Sequence, residues 1–298
     1  MRALMLTIRP WSFTMTAVSV TAGSLLAKVY SNIFDLQLYA FTLLGVIFAH
    51  AATNLLNDYF DVQNEVDKPG TPTAQYRPHP ILTGELDPDV AKSWAKWLYF
   101  FALVIGFVFF IRLGWPIALL AVTGFLASYF YTGGFLKYKY RALGEVSVFL
   151  MWGPLMMLGS FFVQTGSWDH VWEVLWVSFP IGIWVALVLL ANNLKDIEYD
   201  KSVGIKTLGT QFGREGALAI YSSLVLIIYL LYALVGLSGV LPIWSLVALV
   251  TFPKTRRLIR ELRDAESIPP DADPKTAKLG AWTGIWLILS LLLVGFVR

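Results

Sequence analysis

The sequence predicts an all-α, polytopic membrane protein with about nine transmembrane helices. Three observations lead there. Of 298 residues, 57% are hydrophobic and 14% charged, whereas a soluble domain carries about 25% charge. The mean hydropathy is +0.63. Apolar runs of about 20 residues, long enough to cross a bilayer, recur along the whole chain.

The first run, Ser12–Tyr30, follows Arg9 and lacks a small-residue cleavage site, so it reads as a retained span and not a signal peptide. The second, Leu38–Leu56, leads directly into an acidic stretch. The third and fourth are Ala91–Ile111 and Trp115–Tyr131. The fifth, Leu143–Val163, holds Gly153 and Pro154, and the sixth, Val174–Ala191, holds Pro180. Membrane helices tolerate such residues better than soluble ones. Ala217–Leu237 and Lys278–Val297 are the seventh and ninth. Between them, Val240–Ile259 is a short apolar stretch followed by Pro253 and a basic run. That run, Lys254–Arg263, reads as a helix end facing lipid headgroups.

Charge orients the spans. Of the 23 Lys and Arg residues, all but Lys28, Arg112 and Arg298 fall on one set of connections. Positive charge marks the cytoplasmic side, which places the N-terminus inside and the C-terminus outside a cell membrane. Trp11, Trp94, Trp97, Trp115, Trp168 and Trp172 lie near span ends and read as interfacial anchors. A net charge of +3 gives no sign of nucleic-acid binding, and the absence of cysteine excludes disulfides and thiolate metal sites. No obligatory protein partner is implied.

Two acidic stretches sit on the basic side, behind the second and sixth spans, which hints at an internal duplication. The first is NLLNDYFDVQNEVD, residues 54–67. Asn57 and Asp61 are four apart and share one helix face. Asp67 lies further on, where the helix should unwind ahead of KPGTP. The second is NNLKDIEYD, with Asp196 and Asp200 four apart and Asn193 just before them. Carboxylates on facing helices repel unless a cation joins them. Carboxylate and amide oxygens suit Mg²⁺, which is often shared with substrate phosphates. Arg77, Lys137, Lys139, Arg141, Lys195, Lys201 and Lys206 supply positive charge at the same level. Together these groups describe a diphosphate site. A cation-coupled transporter is the alternative class, but transporter sites lie near the bilayer midplane and these acids lie at span ends.

These residues carry a resemblance. NDYFD with its later Asp, then YRPHPILTGEL, then NNLKDIEYDKSVGIKTL, resemble the signature regions of the UbiA-type intramembrane aromatic prenyltransferases. YTGGFLKYKYRALGEVSVFLMWGPLMMLGS is similar to the menaquinone-branch members, which prenylate dihydroxynaphthoate. The likeness runs from Arg9 to about Gly213 and is weak beyond. It implies one integral-membrane prenyltransferase domain over residues 1–298, with its helices around a central cavity. That cavity would have a cytoplasmic polar cap and open laterally to lipid. Asn57, Asp61 and Asp67 match the first motif, and Asp196 and Asp200 the second. Many members carry the last acid of the first motif where this chain has Glu65, so Glu65 and Asp67 both stand as candidates.

The expected reaction joins a polyprenyl diphosphate to an aromatic acceptor, with Mg²⁺ as cofactor. Asp61, Asp196 and Asp200 would be catalytic, holding the metal with Asn57, Asp67 and Asn193. Arg77, Lys137, Lys195 and Lys201 would bind diphosphate. Tyr131 and Tyr138 would line the acceptor and stabilise the allylic cation through their ring faces. Other acceptors of the family's range are hydroxybenzoate, homogentisate, haem, chlorophyllide and a glycerol-phosphate lipid. His79, between two prolines, reads as a loop histidine, and Arg9 as a topology charge.

Overall fold

A computed structural model describes residues 1–297; Arg298, one of the three charges expected on the outer side, lies outside them. The described residues are helical apart from connections and one isolated bridge between Arg141 and Lys206. In chain order the helices are α1 (Arg2–Ile8), α2 (Phe13–Ser31), α3 (Leu36–Gln63), α4 (Pro72–Tyr76), α5 (Pro88–Leu113) and α6 (Trp115–Thr132). There follow α7 (Gly144–Leu150), α8 (Met156–Thr165), α9 (Val171–Lys195), α10 (Ile197–Ser202), α11 (Leu208–Leu237), α12 (Phe252–Asp264) and α13 (Ala272–Val297).

Seven helices are long and apolar enough to cross a membrane: α3, α5, α6, the α7–α8 unit, α9, α11 and α13. The protein is a multi-pass membrane protein. The two remaining expected spans differ in kind. α2 is 19 residues long and interleaves Thr14, Thr16, Ser19, Thr21 and Ser24 with its apolar residues. Its mixed composition suits close packing between helices better than exposure to lipid. At Gly23 a Cβ would stand 2.5 Å from the Met157 carbonyl oxygen, so only glycine lets α2 and α8 approach this closely. The expected eighth span is a 3₁₀ helix, Ile243–Thr251, that runs into the amphipathic α12. Pro253 occupies the first turn of α12, where its missing N–H costs nothing.

The main core lies between α2, α9, α11 and α13, around the fully buried Leu26, Phe161, Trp184, Tyr221 and Tyr232. A second core, with Leu4, Leu55, Leu56, Ile81, Leu86 and Tyr99, seats α1 and the loop after α4 on α3 and α5. Bulky side chains such as Phe107, Ile111, Leu119, Leu230 and Leu234 face outward, as a lipid-facing surface requires.

α7 and α8 form one span interrupted by a π-helical turn, Met151–Leu155, where Pro154 removes a backbone donor. Gly182 of α9 packs on this turn: a Cβ there would sit 2.6 Å from the Phe149 carbonyl oxygen. The turn places Met151, Trp152 and Leu155 in the wall of a cavity of about 250 Å³. α3, α5, α6 and α8 complete that wall, with mostly apolar side chains such as Val46, Ile105, Phe109 and Leu120.

Candidate active site

The site is built where α3 and α9 end. α3 stays helical to Gln63, so Asn57, Asp58 and Asp61 are all held in regular helix and all buried. Beyond it Glu65 turns the chain with a left-handed φ of 59°. The backbone N–H groups of Val66 and Asp67 return to the Asp61 carbonyl at 2.8 and 3.0 Å. This turn separates the two candidates for the last acid. Glu65 points outward and pairs with Lys68 at 3.0 Å, both exposed. Asp67 turns inward and is 4% exposed. α9 breaks at Asp196, yet the Asp200 N–H still donates to the Asp196 carbonyl at 2.8 Å, so the two acids remain one turn apart. The Tyr199 hydroxyl donates to the Val66 carbonyl, fastening the second motif to the loop of the first.

Each acid has a distinct environment. The Asp61 carboxylate accepts from Lys139 Nζ at 2.7 Å, from Asn57 Nδ2 at 3.0 Å and from the Tyr140 hydroxyl. Asp67 faces His79 Nε2 at 3.2 Å and Arg77 at 3.9 Å. Burial disfavours its ionisation, but the His79 contact, Lys139 and Arg77 outweigh that and hold its carboxyl below the ordinary value. Asp196 accepts from the Tyr76 hydroxyl at 2.6 and 2.7 Å, and burial still raises it above the carboxylate norm. Asp200 has no side-chain donor among the described contacts. Burial and the nearby Asp196 push it up to about 7. Buried carboxyls grouped in this way disfavour one another's ionisation until a cation joins them.

Positive groups stand opposite. Arg9 and Arg77 both grip the buried Asp58, Arg77 at 2.9 and 3.2 Å. Arg9 adopts a left-handed backbone (φ 57°) at the break between α1 and the 3₁₀ turn Pro10–Ser12. Its Nε is buried with no acceptor among the described residues. Burial and the adjacent Arg77 pull Arg9 below the ordinary arginine range. Two guanidiniums on one carboxylate, one of them with a donor unused among the described residues, are chemically able to receive a further oxyanion.

Some expected ligands are placed elsewhere. Lys201 pairs with Glu198 at 3.3 Å on the exposed side of α10. Lys137 donates to Asn64 at 2.6 Å, at the end of α3. Lys195 stacks on Tyr76, 3.9 Å from the ring centre, and pairs with Asp273 of α13, so it braces Asp196 through Tyr76. Asn193 donates from Nδ2 to Glu145 at 2.9 Å. Tyr138 donates to the Ala127 carbonyl and accepts from Ser147 at 2.9 Å, while its ring meets Tyr131 edge-on at 5.5 Å. Tyr131 lies nearer the charges, with Lys139 Nζ 5.9 Å from its ring centre.

From sequence Arg9 reads as a topology charge, Asp58 as one more acid of the first stretch, and Tyr76, Tyr140 and Glu145 have no assigned role. Of the last three only Glu145 carries a signal, as an acid inside an apolar stretch. His79 lies in a loop as expected, but is 3% exposed and faces Asp67. His50 also went unnoticed. It lines the cavity, with Nδ1 2.8 Å from the Thr16 hydroxyl and Trp152 against its ring at 5.0 Å.

Among the described residues no three acidic or His side chains converge as a ready metal cluster. The donor set nevertheless fits a hard divalent cation: Asp61, Asp67, Asp196 and Asp200 offer buried oxygens, and Asp200 makes no ion pair among the described residues. Lys139 occupies the place of such a charge on Asp61.

The fold thus sets buried acidic and basic side chains at the end of a bundle of membrane-length helices that holds an apolar cavity. The UbiA prenyltransferase family profile matches residues 16–268, and the chain belongs to that family; it is a prenyltransferase. A Drosophila melanogaster UbiA prenyltransferase domain-containing protein 1 homologue is 30% identical, covering 97% of this chain and 79% of its own. The 1,4-dihydroxy-2-naphthoate octaprenyltransferase of Bacillus subtilis is 29% identical, over 97% of this chain and 91% of its own. A solved UbiA homologue from Archaeoglobus fulgidus, bound to GPP and Mg²⁺, superimposes with a TM-score of 0.70 at 17% identity, covering 99% and 98% of the two chains. An Aeropyrum pernix homologue gives 0.69 at 15% identity, covering 93% and 98%.

Proposed function

We propose that the chain, as a single membrane domain, transfers a polyprenyl group from an allylic diphosphate to dihydroxynaphthoate, with Mg²⁺, at the cytoplasmic membrane face. The observation that carries this is the meeting of two acidic motifs and the Arg9–Arg77 pair beside an apolar cavity. The name of the Bacillus relative supports the acceptor, and the Mg²⁺ bound to the Archaeoglobus neighbour supports the metal.

Asp61, Asp67, Asp196 and Asp200, with the amide oxygen of Asn57, would hold Mg²⁺, which when bound supplies Lewis-acid neutralisation of the leaving diphosphate. Arg9 and Arg77 orient the diphosphate oxygens, and Lys139 moves its charge from Asp61 to the departing group. The allylic carbon–oxygen bond breaks with its electron pair on diphosphate. Trp152 and Tyr131 present ring faces to the cation, and the apolar wall excludes water that would capture it. The acceptor ring then forms the new carbon–carbon bond and loses its carboxylate as CO₂, which restores aromaticity.

The test is transfer of labelled geranylgeranyl diphosphate by purified protein, offered dihydroxynaphthoate beside hydroxybenzoate, with Asp61→Ala and Asp196→Ala as controls. Prenylated naphthoquinol from the first acceptor alone, lost in both variants, is the expected result. Transfer to hydroxybenzoate instead would overturn the acceptor and keep the reaction class.

A further inference from the structure

We propose that the groove between α12 and α13 is a binding site for the phosphodiester headgroup of an anionic phospholipid. α12 is strongly amphipathic. Thr255, Leu258 and Leu262 are buried, and Lys254, Arg256, Arg257, Arg260 and Arg263 point away from the core. Where α12 meets α13 there is a pocket of about 420 Å³, within the ~300–1,000 Å³ of small-molecule sites.

Each helix presents one face to the pocket at the same spacing. Lys254, Arg257, Leu258 and Glu261 come from α12; Lys275, Lys278, Leu279 and Trp282 come from α13. Positions i, i+3, i+4 and i+7 share one side of a helix. Of the charged groups, Glu261 is taken by Lys275, which also meets Asp271 at 3.1 Å. Lys254, Arg257 and Lys278 have no ion-pair partner among the described residues. Three uncompensated cations on one concavity repel each other until an anion enters.

The surface beyond the pocket selects a lipid over a free phosphate. Trp282 is exposed, and Ile285, Leu289 and Leu292 continue the exposed apolar track along α13. A headgroup in the pocket would leave its acyl chains on this track, with the Trp282 ring at headgroup level. The pocket lies at the catalytic end of the bundle, because the first turn of α13 carries Asp273, the partner of Lys195. Lipid held here would steady α13, and through Lys195 and Tyr76 the placement of Asp196.

The experiment is native mass spectrometry of the full chain in detergent, titrated with phosphatidylglycerol, phosphatidylcholine or soluble glycerol phosphate. The expected result is selective retention of phosphatidylglycerol. Lys254→Gln, Arg257→Gln and Lys278→Gln should each weaken retention by on the order of fivefold. Arg256→Gln and Arg260→Gln, exposed on α12 but outside the pocket, should change it by less than about twofold. Lys254→Arg with Lys278→Arg should preserve it and shows that the variants fold. Equal loss in the Arg256 and Arg260 variants would overturn the site in favour of general surface charge. Equal binding of glycerol phosphate would overturn its assignment to lipid. Unchanged retention in the combined triple Gln variant would overturn both.

Discussion

Arg77 lays its guanidinium along both carboxylate oxygens of Asp58, at 2.9 and 3.2 Å, and Arg9 reaches the same carboxylate from the other side. Asp58 is fully buried and is not itself placed among the metal donors. Its role is to hold two cations side by side. Asp58→Asn should therefore cost stability and substrate affinity together. Leaving buried charge uncompensated costs about 3–5 kcal/mol. The expected outcome is a lower unfolding temperature and a raised KM for the allylic diphosphate, with the acceptor KM unchanged. A variant with the parent's melting temperature and diphosphate KM would refute the clamp.

Lys139 makes a prediction with two signs. In the absence of substrate it neutralises Asp61 at 2.7 Å; burial lowers its own proton affinity, and Asp61, Tyr140 and Asp67 together raise it by more. Lys139→Met removes a competitor for the cation and a partner for the leaving group. Divalent-cation binding without diphosphate should tighten, while turnover falls by about 10²-fold or more. Isothermal titration with Mg²⁺ and a single-turnover assay read the two effects separately. Weaker cation binding in this variant would show that Lys139 supports the metal site and does not stand in for it.

Asp200 predicts a pH dependence. Its carboxyl rises from 3.8 to about 7 in the folded protein, chiefly through burial and then Asp196. Between those values the folded chain keeps a proton that the unfolded chain has released. The contribution to stability is thus complete at low pH and lost as pH rises through about 7. Asp200→Asn removes the titration. Without divalent cations, the parent should lose melting temperature relative to this variant between about pH 5 and pH 8, by on the order of a few degrees. Added Mg²⁺ should close the gap at pH 8 for the parent alone. Parallel curves without cation would rule out the raised carboxyl.

The helical membrane fold and the two motifs were legible because each rests on local pattern. Span length, the sidedness of Lys and Arg, and the four-residue steps from Asn57 to Asp61 and from Asp196 to Asp200 need no tertiary information. The partners of those acids were not legible. Arg9 is 49 residues from Asp58, Lys139 is 78 from Asp61 and Tyr76 is 120 from Asp196. No spacing rule spans such gaps. Lys201 illustrates the opposite failure: it is adjacent to Asp200, yet α10 turns it outward to Glu198. The choice of Asp67 over Glu65 as the inward acid depends on one left-handed residue, Glu65 itself.

Glu145 is buried, on the face of α7 that meets Asn193 one turn before the second motif. Its neighbour Gly144 lies by Tyr131: a Cβ there would be 3.7 Å from the Tyr131 hydroxyl. A carboxylate at this point is placed to accept a hydrogen bond from an acceptor hydroxyl and so enrich its ring. Glu145→Gln should lower kcat/KM for the aromatic acceptor by about 10²-fold and leave the diphosphate KM unchanged. Equal losses for both substrates would assign Glu145 to the architecture of α7 and α9.

The cavity predicts chain-length control. Gly106 of α5 lines it, and a Cβ there meets nothing nearer than Ala121 at 4.0 Å, so larger side chains grow into the open space. A phenyl ring at this point would occupy a large part of a cavity of about 250 Å³. Gly106→Phe should therefore favour short donors. The ratio of kcat/KM for geranylgeranyl to geranyl diphosphate should fall by about tenfold or more, roughly 1.4 kcal/mol in differential transition-state binding. Gly106→Ala, which fits without displacement, should leave the ratio unchanged and controls for disturbance of α5. Loss of activity towards both donors in equal measure would mean that the tail runs elsewhere, outward between the helices into lipid. An altered ratio with the geranyl rate preserved would place the tail between α3, α5 and α6, below the acids of α3.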